Sequence, residues 1–174
     1  MDNNAHLRSH SSLILFLPVL LVVFLLEITS IPEFFRDYRP DFLSITFLYF
    51  AILEPRKYSI EVAWLCGIVL DLLTGAPFGV NALILASQIY IIMASFKCFA
   101  QYALYQQVII IAIVHAIADV AIYWLEHILG QSNAQSSFII PAITTAIMWP
   151  IVCFILGFLC KILGLVKDSE NNNV

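Results

Sequence analysis

An aspartate stands among Ile, Val and Leu in the run Gly67-Ile-Val-Leu-Asp71-Leu-Leu-Thr-Gly75-Ala-Pro-Phe-Gly79, with glycines spaced four residues apart around it. A carboxylate at the centre of a membrane helix costs about 2.5–3.5 kcal/mol, so it faces protein or a water-filled cavity rather than lipid. Such a group can accept hydrogen bonds, hold a cation or carry a proton. Four helical residues turn through about 400°, which puts Gly67 and Asp71 on nearly one face. Gly67 permits close approach of a neighbouring backbone. Gly75 can take positive φ and Pro77 lacks an amide donor, so the helix ends there. Gly79 and Asn81 then lie where the chain turns into its next segment. Two readings of Asp71 stand. It caps or hydrogen-bonds a neighbouring helix and fixes packing, or it contacts a ligand, ion or partner.

A second constellation comprises His115, Asp119 and Glu126, spaced four and seven residues apart. On a helix they fall within about 40° of one another. Ala112 and Ala116 allow close approach at the deep end. His115, one turn from Asp119, is placed to donate to it, whereas Glu126 and His127 reach the interface. A proton relay of Asp71, His115 and Asp119 is one expectation. A static buried polar cluster is the other, and the simpler.

These groups must be positioned by membrane helices. Of 174 residues, 61% are hydrophobic and 11% charged, against about 45–50% and 25% in soluble domains. Mean hydropathy is +0.93. Charge is excluded from long tracts, which argues against a soluble globular domain. The expected fold is an all-α integral membrane protein, a compact bundle of about six spans, with five as the alternative count. The spans run Ser12–Thr29, Phe42–Leu53 (beginning nearer Tyr38 at the widest), Ile60–Leu73, Val80–Phe99, Leu104–Leu129 and Phe138–Leu163. A straight span needs about 20 residues, so the second and third are shortened, broken or partly re-entrant. Residues 1–11 form an N-terminal segment, 12–165 the transmembrane domain and 166–174 a short polar tail.

Basic residues set the orientation. With the N-terminus inside, Arg8, Arg56, Lys57, Lys97, Lys161 and Lys167 are cytoplasmic, and Arg36 and Arg39 lie opposite. This follows the positive-inside rule and puts both termini in the cytoplasm. The first outer loop, Ser30–Asp41, carries mixed charge. No small-residue cleavage site follows the first apolar run, so it reads as a retained span.

Enzyme signatures are absent: no G-x-S-x-G elbow, no H-E-x-x-H and no phosphate-binding G-x-x-x-x-G-K. His115 has no assignable nucleophile. Cys66, Cys98, Cys153 and Cys160 lie in or beside apolar segments without a C-x-x-C pair and read as packing residues. No metal site, cofactor or nucleic-acid partner is expected.

The run Arg39-Pro40-Asp41-Phe42-Leu43, then Leu48-Tyr49-Phe50, Pro55-Arg56 and the Gly67/Asp71/Gly75/Gly79 series resembles the bacterial rod shape-determining MreD family. The likeness continues in Asp119-Val120-Ala121-Ile122-Tyr123-Trp124 and in Trp149-Pro150, and spans about residues 12–165. The resemblance implies a non-enzymatic inner-membrane subunit of the cell-elongation machinery that helps organise lateral peptidoglycan synthesis. Its implied partners are the membrane segment of MreC and, more widely, MreB, RodA, a penicillin-binding transpeptidase and membrane lipid. Candidate partner- or groove-forming residues are Arg39, Pro40, Gly67, Asp71, Gly75, Gly79, His115 and Asp119. The same G-x-x-x-D-x-x-x-G pattern also resembles the substrate-binding subunits of energy-coupling-factor vitamin transporters, as a shared fold or, alternatively, a shared solute-binding role.

Overall fold

The computed structural model describes residues 3–29, 38–95, 99–128 and 139–162. Glu33, Arg36 and Asp37 of the charged loop, Lys97, Cys98, the Glu126 side chain and the tail from Lys167 lie outside the described residues. Among the described residues there are six α-helices and no strands, as expected of an all-α membrane protein. They are α1 (Asn3–Ile28), α2 (Phe42–Leu53), α3 (Ile60–Thr74), α4 (Val80–Ser95), α5 (Leu104–Ile128) and α6 (Ile139–Ile162), with a 3₁₀ turn at Phe99–Gln101 before α5.

Two stretches, Leu104–Leu125 of α5 and Ile139–Ile162 of α6, are long and apolar enough to cross a membrane. The apolar part of α1 is shorter, Leu15–Ile28, and α2, α3 and α4 run only 12, 15 and 16 residues. At 1.5 Å per residue, α2 is about 18 Å long, well short of a bilayer core of about 30 Å. A short helix in this setting starts or ends at depth, where its unpaired backbone groups must find partners inside the protein. The acids of this chain answer that requirement, as described below.

The bounds of α2 coincide with the expected span. Helix α1 instead reaches back to Asn3, through polar residues that precede the apolar run. A helix propagates through backbone bonds, so apolarity does not mark its start. Helix α4 is described as far as Ser95, and Phe99, the expected end of that span, stands in the 3₁₀ turn.

Helix α2 is the centre of the molecule. Eight of its 12 residues are buried, and it packs against α1, α4 and α6. Phe16 of α1 sits edge-on to Phe50 of α2, 5.1 Å between ring centres, and 4.5 Å from Tyr58. Edge-to-face pairs of this kind add to the area they bury. The tightest pairings are the successive hairpins α3–α4 and α5–α6. The second is braced near its α5 start by Gln107. Its Nε2 donates to the Phe99 and Tyr102 carbonyls at 3.1 and 3.0 Å, and its Oε1 accepts from the fully buried Trp149 indole at 2.8 Å.

Helix α3 stops as its residues dictate. Gly75 adopts φ +71°, and its amide donates to the Asp71 carbonyl at 3.0 Å. An added Cβ there would meet open space. Gly75→Ala is therefore expected to cost only the left-handed backbone penalty, about 1–2 kcal/mol, read as a modest drop in thermal stability in detergent.

Candidate functional site

Asp71 is buried to 1% exposure, and both of its oxygens accept backbone amides. Oδ2 accepts from Gly79 at 2.8 Å and Oδ1 from Asn81 at 3.0 Å. These are donors at the start of α4, which would otherwise be orphaned. The carboxylate also sits against the positive end of the α4 dipole. Gly79, at φ +93°, turns the chain into α4, and its carbonyl accepts from Leu83. Gly67, one turn below Asp71, is pressed on the α4 backbone. A Cβ there would lie 2.3 Å from the Ala82 Cα and 2.8 Å from the Asn81 carbonyl oxygen. Gly67, Asp71, Gly75 and Gly79 thus form one device that closes the α3–α4 hairpin.

The same device recurs at the start of α2. Glu27, at the end of α1, accepts the Phe42 amide at 3.0 Å and the Leu43 amide at 3.4 Å through Oε1. Asp41 caps the helix itself, with Oδ1 accepting from the Ser44 amide at 2.9 Å. Its own amide donates to Thr145 Oγ1 on α6 at 2.9 Å. Arg39 completes the group. Its guanidinium pairs with Glu27 Oε2 at 2.9 Å and donates to the Leu26 carbonyl at 2.7 Å. Pro40 sits between, and its carbonyl accepts a second contact from the Phe42 amide at 3.1 Å. In both places a carboxylate from the preceding helix terminates a short helix that begins inside the bundle.

Glu27→Ala is expected to lower thermal stability by the equivalent of about 2–3 kcal/mol, because it leaves an α2 amide and Arg39 without their acceptor. Glu27→Gln keeps a carbonyl acceptor and should lose roughly half as much, through the ion pair alone.

His115 joins the cluster from α5 and is buried. The one-turn spacing points to Asp119 as its partner, but the ring bonds elsewhere. Nε2 lies 3.3 Å from Ser44 Oγ, and Nδ1 lies 3.3 Å from Gln88 Nε2. Ser44 Oγ donates to Gln88 Oε1 at 2.7 Å. With that hydroxyl proton committed, Nε2–H donates to Ser44, and Nδ1 accepts from Gln88. The network is self-consistent for a neutral ring. Asp41 Oδ2 stands 3.9 Å from Nδ1, beyond hydrogen-bond reach.

Asp119 differs from the other acids. Its Oδ2 is shut off from solvent and has no hydrogen-bond partner among the described residues. No bond links Asp71 to either His115 or Asp119 among the described residues. The candidate residues therefore fall into two groups. Arg39, Pro40 and His115 gather about the start of α2, the glycines with Asp71 build the α3–α4 hairpin, and Asp119 stands one turn along α5 from His115.

Sequence reasoning overlooked Glu27, Ser44, Gln88 and Thr145 as members of the first group. Asp41 just before the apolar run is a helix-start signal that was available, but it does not announce the Ser44 hydroxyl's bond to Gln88. The contacts of Glu27, Gln88 and Thr145 span 15 to 104 residues of chain, and no local pattern announces them.

Beside the cluster, an apolar groove of about 500 Å³ opens between α1, α2 and α6, lined by Val19, Val22, Leu26, Phe42 and Ile155 among others. Its polar content is confined to Thr46. No group of three His, Cys, Asp or Glu side chains able to hold a metal occurs among the described residues.

A model of the family described as rod shape-determining protein MreD matches residues 8–163. The rod shape-determining protein MreD of Haemophilus influenzae is 28% identical over 129 residues, which cover 74% of this chain and 80% of that protein. No solved structure matches the fold.

Proposed function

This chain belongs to the MreD family of rod shape-determining membrane proteins, and from that premise we propose that it is a non-enzymatic subunit of the cell-elongation machinery. It holds the membrane segment of MreC and thereby helps keep lateral peptidoglycan synthesis organised. MreB, RodA and a penicillin-binding transpeptidase are the wider partners. The chain sits in the bacterial inner membrane, crosses it several times and keeps both termini in the cytoplasm, as its basic residues direct.

The observation that carries this reading is the use made of the polar groups. Among the described residues, five of the seven buried polar side chains serve the protein's own helix starts (Asp71, Thr145) or the Ser44–Gln88–His115 network, and Gln107 braces the α5–α6 hairpin. That is the arrangement of a scaffold, with helices held in fixed register, rather than of a site with a poised nucleophile and base. The residues left for contact are small and polar positions on α5 and the Arg39 corner.

Co-expression of the chain with MreC from the same bacterium, followed by affinity purification in detergent, tests the proposal. Co-purification in fixed ratio is the expected result. Failure to associate at native expression, together with tight binding of a vitamin by the isolated chain, would replace it with the solute-transport reading.

A further inference from the structure

The apolar groove beside the α2 start has dimensions that select its occupant. One wall is a stripe of α1 from Leu15 to Leu26, the other a stripe of α6 from Val152 to Leu159, and Phe42 and Thr46 of α2 lie between them. Leu15 and Leu26 stand about 16 Å apart along their helix. Spread over that length, a volume of about 500 Å³ gives a mean cross-section of about 30 Å². A helix is at least about 10 Å across and needs roughly 80 Å². A hydrocarbon chain needs far less, since carbons pack at about 4 Å. The groove is therefore too narrow to seat a helix and wide enough for one chain. Its length agrees, because each leaflet supplies about half of a hydrocarbon core of about 30 Å.

One end of the groove is charged. Leu26 and Phe42 form that end, and Arg39 is tied to both. Its Nη2 donates to the Leu26 carbonyl at 2.7 Å and pairs with Glu27 Oε2 at 2.9 Å. Glu27 Oε1 in turn accepts the Phe42 amide. Both Arg39 contacts use Nη2, so the N–H groups on Nε and Nη1 make no bond among the described residues. The side chain is 25% exposed. A guanidinium presents its donors in a planar fork that fits phosphate oxygens. Glu27 divides its own charge between Arg39 and the α2 amides, so the corner keeps donors for a further anion. The opposite end, at Leu15 and Leu159, is apolar. An anionic group at one end and a long apolar tail is the complement of this surface.

We propose that the groove between α1, α2 and α6 holds one acyl chain of a phospholipid whose phosphate bonds the uncommitted N–H groups of Arg39. The proposal rests on the reading of the chain as an inner-membrane protein with both termini in the cytoplasm, which turns the Arg39 end outward and assigns the lipid to the outer leaflet. It requires no contact with MreC. The chain completes the packing between α1 and α6, so the bound lipid stabilises the fold in proportion to its occupancy.

The test uses the full chain, purified in detergent and stripped of lipid, in four forms: wild type, Arg39→Gln, Ile155→Trp and Leu72→Phe. Ile155 lines the groove from an exposed position, so an indole there fills the groove without entering the core. Leu72 is exposed on α3 and serves as the control. Each form is titrated with phosphatidylglycerol and with diacylglycerol carrying the same acyl chains. Native mass spectrometry counts the bound molecules, and thermal unfolding reads the stabilisation. Wild type is expected to hold one phosphatidylglycerol at least about ten-fold more tightly than diacylglycerol, the factor of one charge-assisted hydrogen bond. Arg39→Gln should bring phosphatidylglycerol down to the diacylglycerol level. Ile155→Trp should weaken both lipids, and Leu72→Phe neither. If Arg39→Gln fails to fold, the two lipids on wild type and the Ile155→Trp form still decide the matter.

Equal affinity of wild type for the two lipids would remove the phosphate contact and overturn the proposal. Phosphatidylglycerol binding that ignores Ile155→Trp would put the lipid elsewhere and overturn it as well. Displacement of the lipid by MreC or by a second copy, with Ile155→Trp blocking that association, would make the groove a protein interface and contradict it. Release of the chain from membranes by alkaline carbonate would remove the membrane reading, and the proposal with it.

Discussion

Gly67→Val is expected to prevent the α3–α4 hairpin from closing, and with it the recovery of folded protein. The first atom of any side chain at this position would lie 2.3 Å from the Ala82 Cα and 2.6 Å from the Ala82 nitrogen. Those are backbone atoms of α4, so no rotamer change relieves the overlap. The two helices must separate, and Asp71 then loses its reach to Gly79 and Asn81. Overpacking alone costs about 1–3 kcal/mol. Here it is compounded by breaking two charge-assisted hydrogen bonds at low dielectric, each worth about 1.5–3 kcal/mol. The sum rivals the whole stability of an ordinary domain, about 5–15 kcal/mol. Size-exclusion profiles in detergent should show loss of the monodisperse species for Gly67→Val and a partial loss for Gly67→Ala. A Gly67→Val protein with wild-type yield and melting temperature would show that α3 and α4 do not touch there.

Asp71→Leu should be the second most damaging change. It removes the acceptor for two amides at the start of α4 and leaves both donors in an apolar setting, at about 1–3 kcal/mol each. The more instructive variant is Asp71→Asn. Both carboxylate oxygens are in use, so an amide keeps one bond and turns an NH₂ toward the other N–H. Asn should therefore fall between Asp and Leu, at about 2 kcal/mol or more, and Glu should not rescue fully because the extra methylene displaces the fork. Thermal unfolding of the three variants in one detergent measures this order. If Asn matched Asp, the carboxylate would be acting as a charge rather than as a two-point cap.

The contrast between Asp71 and Asp119 bears on what a lone chain can reveal. The composition and the G-x-x-x-D-x-x-x-G run announce that an acid lies in an apolar helix, and the glycine after it correctly marks where α3 ends. Helix α2 was legible to its bounds, because Pro40 and Asp41 open it and Pro55 follows its end. What spacing could not express is which backbone the carboxylate serves. Asp71 and Gly79 are close enough along the chain for a reader to suspect a turn. Glu27 and Phe42 are joined across a loop, and Ser44, Gln88 and His115 across three helices. Those partnerships exist only once the bundle is formed.

The His115–Asp119 spacing is the instructive failure. Neighbours on one helix face compete with partners offered by other helices, and Ser44 and Gln88 took the imidazole. That left Asp119 unlike Glu27, Asp41 and Asp71, whose oxygens accept amides at helix starts. The apolar run from Ser12 marks a span, and the helix that carries it starts earlier, at Asn3, since backbone bonding does not stop where the apolar run begins.

The most direct test of the whole account is depletion of this protein in its own bacterium, with cell width followed by microscopy and complementation by the wild-type and Asp71→Leu genes. The account predicts that depleted cells widen and round. The wild-type gene should restore rods, and Asp71→Leu should fail for want of folded protein. Cells that remain rod-shaped on depletion, above all if they then require a vitamin at higher concentration, would contradict a role in cell elongation.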